Sequence, residues 1–549
     1  MGGSRRYEQP PKAGRPGGCH PRRVSRCGPA AVVALLVTMA ALVAGCGGAT
    51  APRGAQTTTI AVSTTASSST TASSPTTLPS STTAPPATAP STTIAAAPGS
   101  PDGGDPYFPS SGNGGYDVQS YDITLDVDPV SGRIAGQDTV SAVALQDLSA
   151  FYLDLQGLDV SAVRVDGAAA VYTRGGSELK VSCPAPVATG AAFSVVVAYS
   201  GVPAMISAKQ FEMGWQKVGD MTFTVDEPRG AATWFPVNDT PADKATYTFR
   251  LTVPAQYTAA ANGVLTGTEA KGSSRTFTWK MDEPMASYLA AVSVGRFAAE
   301  TATSSAGVVI RNYFATDLAA AAHDAFARMG EVIDYFATLF GPYPFPVYGV
   351  VVPDADIGAA MENQTISLYG RDVVTKLMKD PVSRAIFLSH ELAHQWFGDS
   401  VTIERWDDIW LNEGFATYAS WLWLEHDQGR KALEGQVRLS LDQVGKSLEA
   451  APGKPGADHL FGVSVYQRGA LTLHALRLTV GDDSFFRILR TWADRHKYGN
   501  ADTAEFIDLA KEDAPQVAPD VIDALFQAWL YGKQMPALPA SAGAPAPGR

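Results

Sequence analysis

The stretch "FLSHELAHQWFGDS", Phe387 to Ser400, sets His390 and His394 four positions apart with Glu391 beside the first. On a helix of about 3.6 residues per turn, two imidazoles at that spacing project from one face and can share one divalent cation. The neighbouring "AIFL" and "QWF" are apolar, so the helix is expected to be buried, and buried imidazoles and carboxylates need partners. A catalytic zinc takes three protein ligands and keeps one position open for water. Glu413 follows after 18 intervening residues, within "WDDIWLNEGFATYASWLWLEH", an apolar helix expected to begin near Asn412. By itself Glu413 is equally an acid suited to a helix N-terminus. Beside H-E-x-x-H it is preferred as the third ligand, completing a His2Glu set around one Zn2+ per chain.

The elements that must position these groups are legible from periodicity. "DAFARMGEVIDYFATLFGPYPFP" places Phe326, Met329, Ile333, Phe336 and Phe340 on one helical face, stopped by Gly341 and barred from continuing by Pro342 and Pro344. Long helices are expected from there to about Trp529. Earlier, the period is two: "YDITLDVD" puts Tyr121, Ile123, Leu125 and Val127 on one side, and "FSVVVAYSG" and "YTFRLTVP" repeat the pattern. A β-rich domain is expected from about Tyr116 to Phe297, with turns at "DPVSG" and "ANG".

A chain of 549 residues suits two or three domains. Its first residues carry several arginines and then an apolar run, Ala30 to Val43, too short for an ordinary transmembrane helix, which predicts a signal peptide over 1–45. The run ends in "LVAGC", which resembles a bacterial lipobox and implies a lipidated Cys46 that anchors the protein to the cell membrane. Ordinary signal-peptidase cleavage is the alternative and would leave a secreted protein. Cys19 and Cys27 precede that cut, so Cys183 stands alone and no disulfide framework is expected. From Gly54 to Pro101 no residue is charged, and Thr, Ser, Ala and Pro dominate. Such a segment cannot build a core, and a tether of about 60 residues spans roughly 40 Å. Beyond residue 107, 34 Lys+Arg face 51 Asp+Glu, a net charge of −17 that argues against nucleic acid as a partner.

"HELAHQWFGDSVT" followed by "WLNEGFATYASW" resembles the zinc aminopeptidases of the aminopeptidase N and leukotriene hydrolase family. "AAMENQT" is similar to that family's G-x-M-E-N motif, "EPRGAATWFPVNDTPADKATYTF" to a stretch of its β domain, and "VYQRGALTLHAL" to its Y-x-[KR]-G motif. With "YLAAVSVGRF" and "LFGPYPFP", the likeness runs from about 116 to 535. It implies that His390, His394 and Glu413 hold zinc, that Glu391 is the general base, and that Tyr466 donates to the oxyanion. It further implies that Glu362 and Glu227 bind the substrate's free α-ammonium, with Ala359, Ala360, Met361 and Asn363 lining the same place. The "MEN" segment lies close to the apolar "YGVVVP" and is expected at a sheet edge facing the cleft, where extended peptide backbone can pair.

Three departures stand out. Ala359 replaces the first glycine of G-x-M-E-N, with Gly358 one place earlier, and Val225 stands where some relatives carry glutamine. Little sequence follows "WLYGKQMPALP", so the large helical domain that closes the cleft in many relatives is not expected and the cleft should be more open. The resulting expectation is an α+β protein with a β-rich N-terminal domain over 108–302 and a thermolysin-like, mostly helical catalytic domain over 303–536. A lipidated, disordered tether over 46–107 precedes them and a disordered tail over 537–549 follows. The expected function is a zinc-dependent aminopeptidase at the bacterial cell surface, acting on peptides with a free N-terminus. A zinc endopeptidase and a non-catalytic surface-binding lipoprotein are the alternatives.

Overall fold

Alternation of apolar and polar residues closes the first half of the chain into sheets. The computed structural model describes residues 95–208, 212–447 and 450–540. On strand Tyr116–Asp128 the side chains of Tyr121, Ile123, Leu125 and Val127 are all buried, while their neighbours face outward. This strand pairs antiparallel with Arg133–Ala144 and parallel with Ala245–Pro254, at the centre of an eight-stranded mixed sheet. Four- and five-stranded sheets complete the domain, and the five-stranded one includes Met221–Val225, which leads directly into Glu227. Stacked aromatic rings fill the interior, with Tyr121 and Tyr247 centroids 4.9 Å apart and Tyr247 and Phe249 5.7 Å apart.

The second half combines a six-stranded sheet with helices. Its strands run in the order Phe297–Thr303, Val309–Ala315, Val350–Val352, Ser367–Tyr369 and Ala360–Met361, with Val347–Tyr348 also paired to Val309–Ala315. Ala360–Met361 is therefore an outer edge. The helices are α1 (Ala319–Phe326), α2 (Met329–Phe340), α3 (Pro381–Ala393), α4 (Trp410–Gln428), α5 (Arg430–Lys446), α6 (Gly469–Val480), α7 (Asp482–Arg495), α8 (Thr503–Asp513) and α9 (Pro519–Phe526). Nearly all of α4 is buried, because α3, α5 and α6 pack around it. Trp410 and Phe415 of α4 pack on Phe506, which Trp492 and Phe526 flank. Among the described residues no helix is long and apolar enough to cross a membrane.

Three expectations need correction. The face drawn through Phe326 and Met329 belongs to two helices that break at Ala327 and Arg328, which lets Phe326 pack on Tyr369 at 4.8 Å while Phe340 packs on Trp396 at 6.0 Å. The domain boundary expected at 302 falls nearer 296, because Phe297–Thr303 pairs along its whole length with Val309–Ala315 and so belongs to the second sheet. The end of the tether is ordered. Ala97–Pro98 joins Leu148–Asp154 as a parallel strand, and buried Asp105 accepts hydrogen bonds from the Tyr107 and Phe108 amides and from the Trp406 amide of the catalytic domain, each 2.8–2.9 Å long. The uncharged composition of the preceding stretch concealed this clasp. The signal peptide, Cys46 and the tether up to residue 94 lie outside the described residues, as do residues 541–549 of the tail.

Candidate metal centre and active site

Helix α3 begins with Asp380, whose side chain accepts the Ser383 amide at 2.8 Å, and with Pro381 at the first helical position. That start sets the register in which His390, in the last turn, and His394, just beyond it, face the same way. Their Nε2 atoms lie 3.2 Å apart, and each approaches Glu413 Oε2 from α4, His390 at 3.1 Å and His394 at 3.5 Å. A cation held tetrahedrally at zinc-ligand distances requires donors about 3.3 Å apart, so the three atoms fit one such ion. His394 Nδ1 lies 3.1 Å from the Phe397 carbonyl, which can only accept, so Nδ1 carries a proton and Nε2 is the nitrogen left to meet a metal.

Two glycines bring the next group in. A Cβ on Gly414 would lie 3.0 Å from the Gly469 backbone, so α4 and the start of α6 touch main chain to main chain beside Glu413. The turn Ser464–Arg468, wound more widely than an α-helix, carries Tyr466 to this crossing. The Tyr466 ring stacks on His390 with centroids 5.9 Å apart and planes within 13°. Arg468 secures the turn by donating from Nη2 to the carbonyls of Ala528, Gly532 and Gln534.

Glu391 is buried behind the two histidines, and its carboxylate, that of Glu362 and a His394 ring nitrogen lie within 4.8 Å of one another. Glu362 follows the edge strand Ala360–Met361, and Gln395 fastens it: Gln395 Nε2 donates to the Glu362 carbonyl at 3.0 Å, while its Oε1 accepts the Thr365 amide at 2.8 Å. Thr365 is held at φ 68°, a conformation costly for a β-branched residue, and its hydroxyl accepts the Gly263 amide of the β domain at 2.8 Å. Met361 and Asn363 are buried at this turn, and Ala359 and Ala360 are half-buried. The β domain supplies Glu227. One carboxylate oxygen each of Glu227 and Glu362 is buried without a hydrogen-bond partner. A cavity of about 320 Å³, lined in part by Phe108, Pro228, Arg229, Leu460 and Phe461, includes Pro228, the residue after Glu227, but none of the clustered acids or imidazoles.

Charge explains the cluster. Burial raises Glu227 well above the usual carboxylate range, and Glu362, Glu413 and Glu391 push it further. Burial likewise raises Glu362 and Glu391, opposed in part by His394. Burial pulls His394 down, but Glu362, Glu413 and Glu391 outweigh it and carry the imidazole up to about 10. Burial pushes Glu413 up, yet His394 and His390 hold it at about 2. Burial lowers His390, which is neutral. The pocket thus holds more acid than its imidazoles can balance, and it suits cations.

Several positioning residues had gone unassigned in the sequence. Lys244, inside the "DKAT" stretch, is half-buried and donates to the carbonyls of Asp399 and Ser400 at 2.8 and 3.0 Å, pinning the loop after α3 to the β domain. Burial lowers its ammonium to about 7, with Asp399 opposing. Asn262 bridges the Leu289 and Gln364 carbonyls, both at 2.8 Å. Gln395, directly after the H-E-x-x-H motif, and the two crossing glycines carried a positional signal; Lys244 and Asn262 carried none.

Comparison with known proteins agrees with this geometry. Residues 324–529 match the peptidase family M1 domain and residues 118–289 the peptidase M1 N-terminal domain. Aminopeptidase M1 of Arabidopsis thaliana is 30% identical over 339 residues, 58% of this chain and 38% of that protein. Glutamyl aminopeptidase of Sus scrofa is 28% identical over 328 residues, 56% and 34%. The chain spans little more than a third of these relatives' length. An M1 zinc metallopeptidase from Deinococcus radiodurans superimposes with a TM-score of 0.73 at 32% identity, covering 80% of this chain and 100% of that one. A variant of that protein with the substrate Tyr-Ser-Ala bound gives 0.73 at 31%, covering 80% and 99%.

A raised His394 predicts proton-linked metal uptake. The metal-free imidazole keeps its proton below about pH 10, and zinc must displace it. Calorimetry of zinc binding in buffers of different ionisation enthalpy at pH 7.5 is expected to show about one proton released per zinc, and affinity rising about tenfold per pH unit from 7 to 9. Uptake without proton release contradicts this charge arrangement.

Proposed function

The chain belongs to peptidase family M1, and from that membership we propose that it is a zinc-dependent aminopeptidase that removes N-terminal residues from peptides. The carrying observation is the pair of buried carboxylates, Glu227 and Glu362, each with an unpartnered oxygen beside the metal ligands. An α-ammonium placed between them satisfies both acids and sets the first peptide bond against the histidines.

His390, His394 and Glu413 would hold zinc, which supplies Lewis acidity for acidifying water and polarising the scissile carbonyl. Glu391 takes the proton of the attacking water on its carboxylate and returns it to the leaving amine. Its burial raises the carboxyl, which favours taking up the proton. Tyr466 donates its phenolic proton in a hydrogen bond to the developing oxyanion. Burial, with Glu413 and Glu227 nearby, raises that phenol well above its usual range, so it stays protonated as a donor. One such donor contributes about 10²–10³ in kcat. The edge strand Ala360–Met361 offers backbone to an extended substrate, and the cavity beside Pro228 and Arg229 offers room for a side chain.

We further propose that Cys46 carries lipid and anchors the enzyme at a bacterial cell surface, a reading supported by "LVAGC" and the uncharged segment after it. Cys46→Ser is expected to move the protein from the membrane fraction to the medium. Unchanged fractionation, or an unmodified N-terminal fragment by mass spectrometry, sinks the anchor.

Glu391→Gln is expected to lower kcat about 10³-fold with zinc content unchanged by elemental analysis, and retention of activity removes Glu391 as base. Glu362→Gln is expected to raise KM for free-amine peptides about 10- to 100-fold, and N-acetylated peptides should resist the wild type. Equal rates on acetylated and free peptides would defeat the exopeptidase reading.

A further inference from the structure

The segment ahead of the β domain touches the approaches to three site residues. Asp105 is 5% exposed, and its carboxylate oxygens divide their bonds: Oδ1 accepts the Tyr107 and Phe108 amides, and Oδ2 accepts the Trp406 amide at 2.8 Å. Trp406 opens the short turn that leads into α4 and Glu413. The Tyr107 hydroxyl accepts the Gly456 amide at 3.0 Å, in the loop that runs on to Tyr466. The Phe108 ring meets Trp406 edge to face at 6.4 Å, while the Arg229 guanidinium lies over it, 5.2 Å from the centroid. Arg229 is two residues beyond Glu227.

The same segment is fastened to the β domain. Ser111 Oγ donates to the Asp239 carbonyl at 2.9 Å, and the Gly112 amide donates to buried Asp154 at 3.0 Å. Residues 105–112 therefore form a strap with polar bonds into both domains. The cavity of about 320 Å³ has Pro228 and Arg229 on its β-domain wall and Leu460 on its catalytic wall, and Tyr107 and Phe108 line it as well. The strap bridges these two walls.

We infer that Asp105, Tyr107 and Phe108 are positioning residues for capture of the substrate's α-ammonium, an inference that rests on the aminopeptidase reading above. His390, Glu391, His394, Glu413, Tyr466 and Glu362 all belong to the catalytic domain, whereas Glu227 reaches across from the β domain. The gap between Glu227 and Glu362 thus follows the angle between the domains. Through Phe108 and Asp105 the strap ties the chain beside Glu227 to the chain ahead of Glu413, and through Tyr107 to the chain ahead of Tyr466. Loosening it leaves the groups that activate water together and weakens the hold on the amine.

The test uses the zinc-loaded full chain, a tripeptide with a free N-terminus and its N-acetylated form. Asparagine offers a single acceptor oxygen, so Asp105→Asn cannot keep both the strap's own turn and the Trp406 bond. That variant is expected to raise KM for the free tripeptide about tenfold, with kcat within about twofold and zinc content unchanged. Tyr107→Phe, which removes the acceptor of the Gly456 amide, should raise KM about threefold, and it serves if the first variant does not fold. A lower Tm with KM unchanged marks the strap as structural and overturns the inference, as does a fall in kcat at constant KM. Should the wild type cleave the acetylated peptide as fast as the free one, the aminopeptidase reading fails and takes the inference with it. If the wild type discriminates and both variants match it, the inference alone is overturned.

Discussion

Glu227, Glu362, Glu391, Glu413 and Asp399 are buried together, with two imidazoles and the Lys244 ammonium as basic neighbours. Like charges at low dielectric repel strongly, so the enclosure is tolerable only when cations enter it or protons remain on the acids. A divalent metal answers one side of the cluster and a substrate ammonium the other. Lys244 bonds the Asp399 main chain close by, and desolvation lowers its ammonium while Asp399 opposes. Under the proposed function, affinity for metal and preference for a free amine are two consequences of one excess of negative charge.

Holding that excess in place falls to contacts that bridge the domains. Asn262 and Gly263 of the β domain bond the turn of Gln364 and Thr365, and Gln395 bonds the same turn from α3. Tyr288 reaches the Gly398 carbonyl and receives Asn412 Nδ2. The clasp at Asp105 reaches Trp406, just ahead of α4, which carries Glu413. Glu227 and Glu362 come one from each domain, so their separation is set by this seam.

The meeting of His390, His394 and Glu413 was legible because chelation would impose spacing that sequence can show: two histidines one helical turn apart and an acid on the following helix. The sheets were legible through alternation, and the burial of Tyr121, Ile123, Leu125 and Val127 follows it residue by residue. What escaped notice depends on long-range geometry. Nothing local in "TPADKATYTF" announces that Lys244 will meet carbonyls 155 residues away. Thr365 sits at a backbone angle that favours glycine, and only contacts from both domains explain it. The helix break at Ala327 and Arg328 is likewise invisible, because the apolar residues on either side keep a nearly continuous helical period.

The widened turn at Ser464–Arg468 bears on how this site tolerates change. Such turns accommodate one residue more than regular α-helical winding. A chain one residue shorter there could close an ordinary α-helical turn, and the fold would keep its hydrophobic seam, but residues upstream would swing about 100° around the axis. The phenol would leave the imidazole plane while composition, burial and helix count barely altered. Deletions in this stretch are therefore expected to separate stability from chemistry more cleanly than substitutions at the ligands.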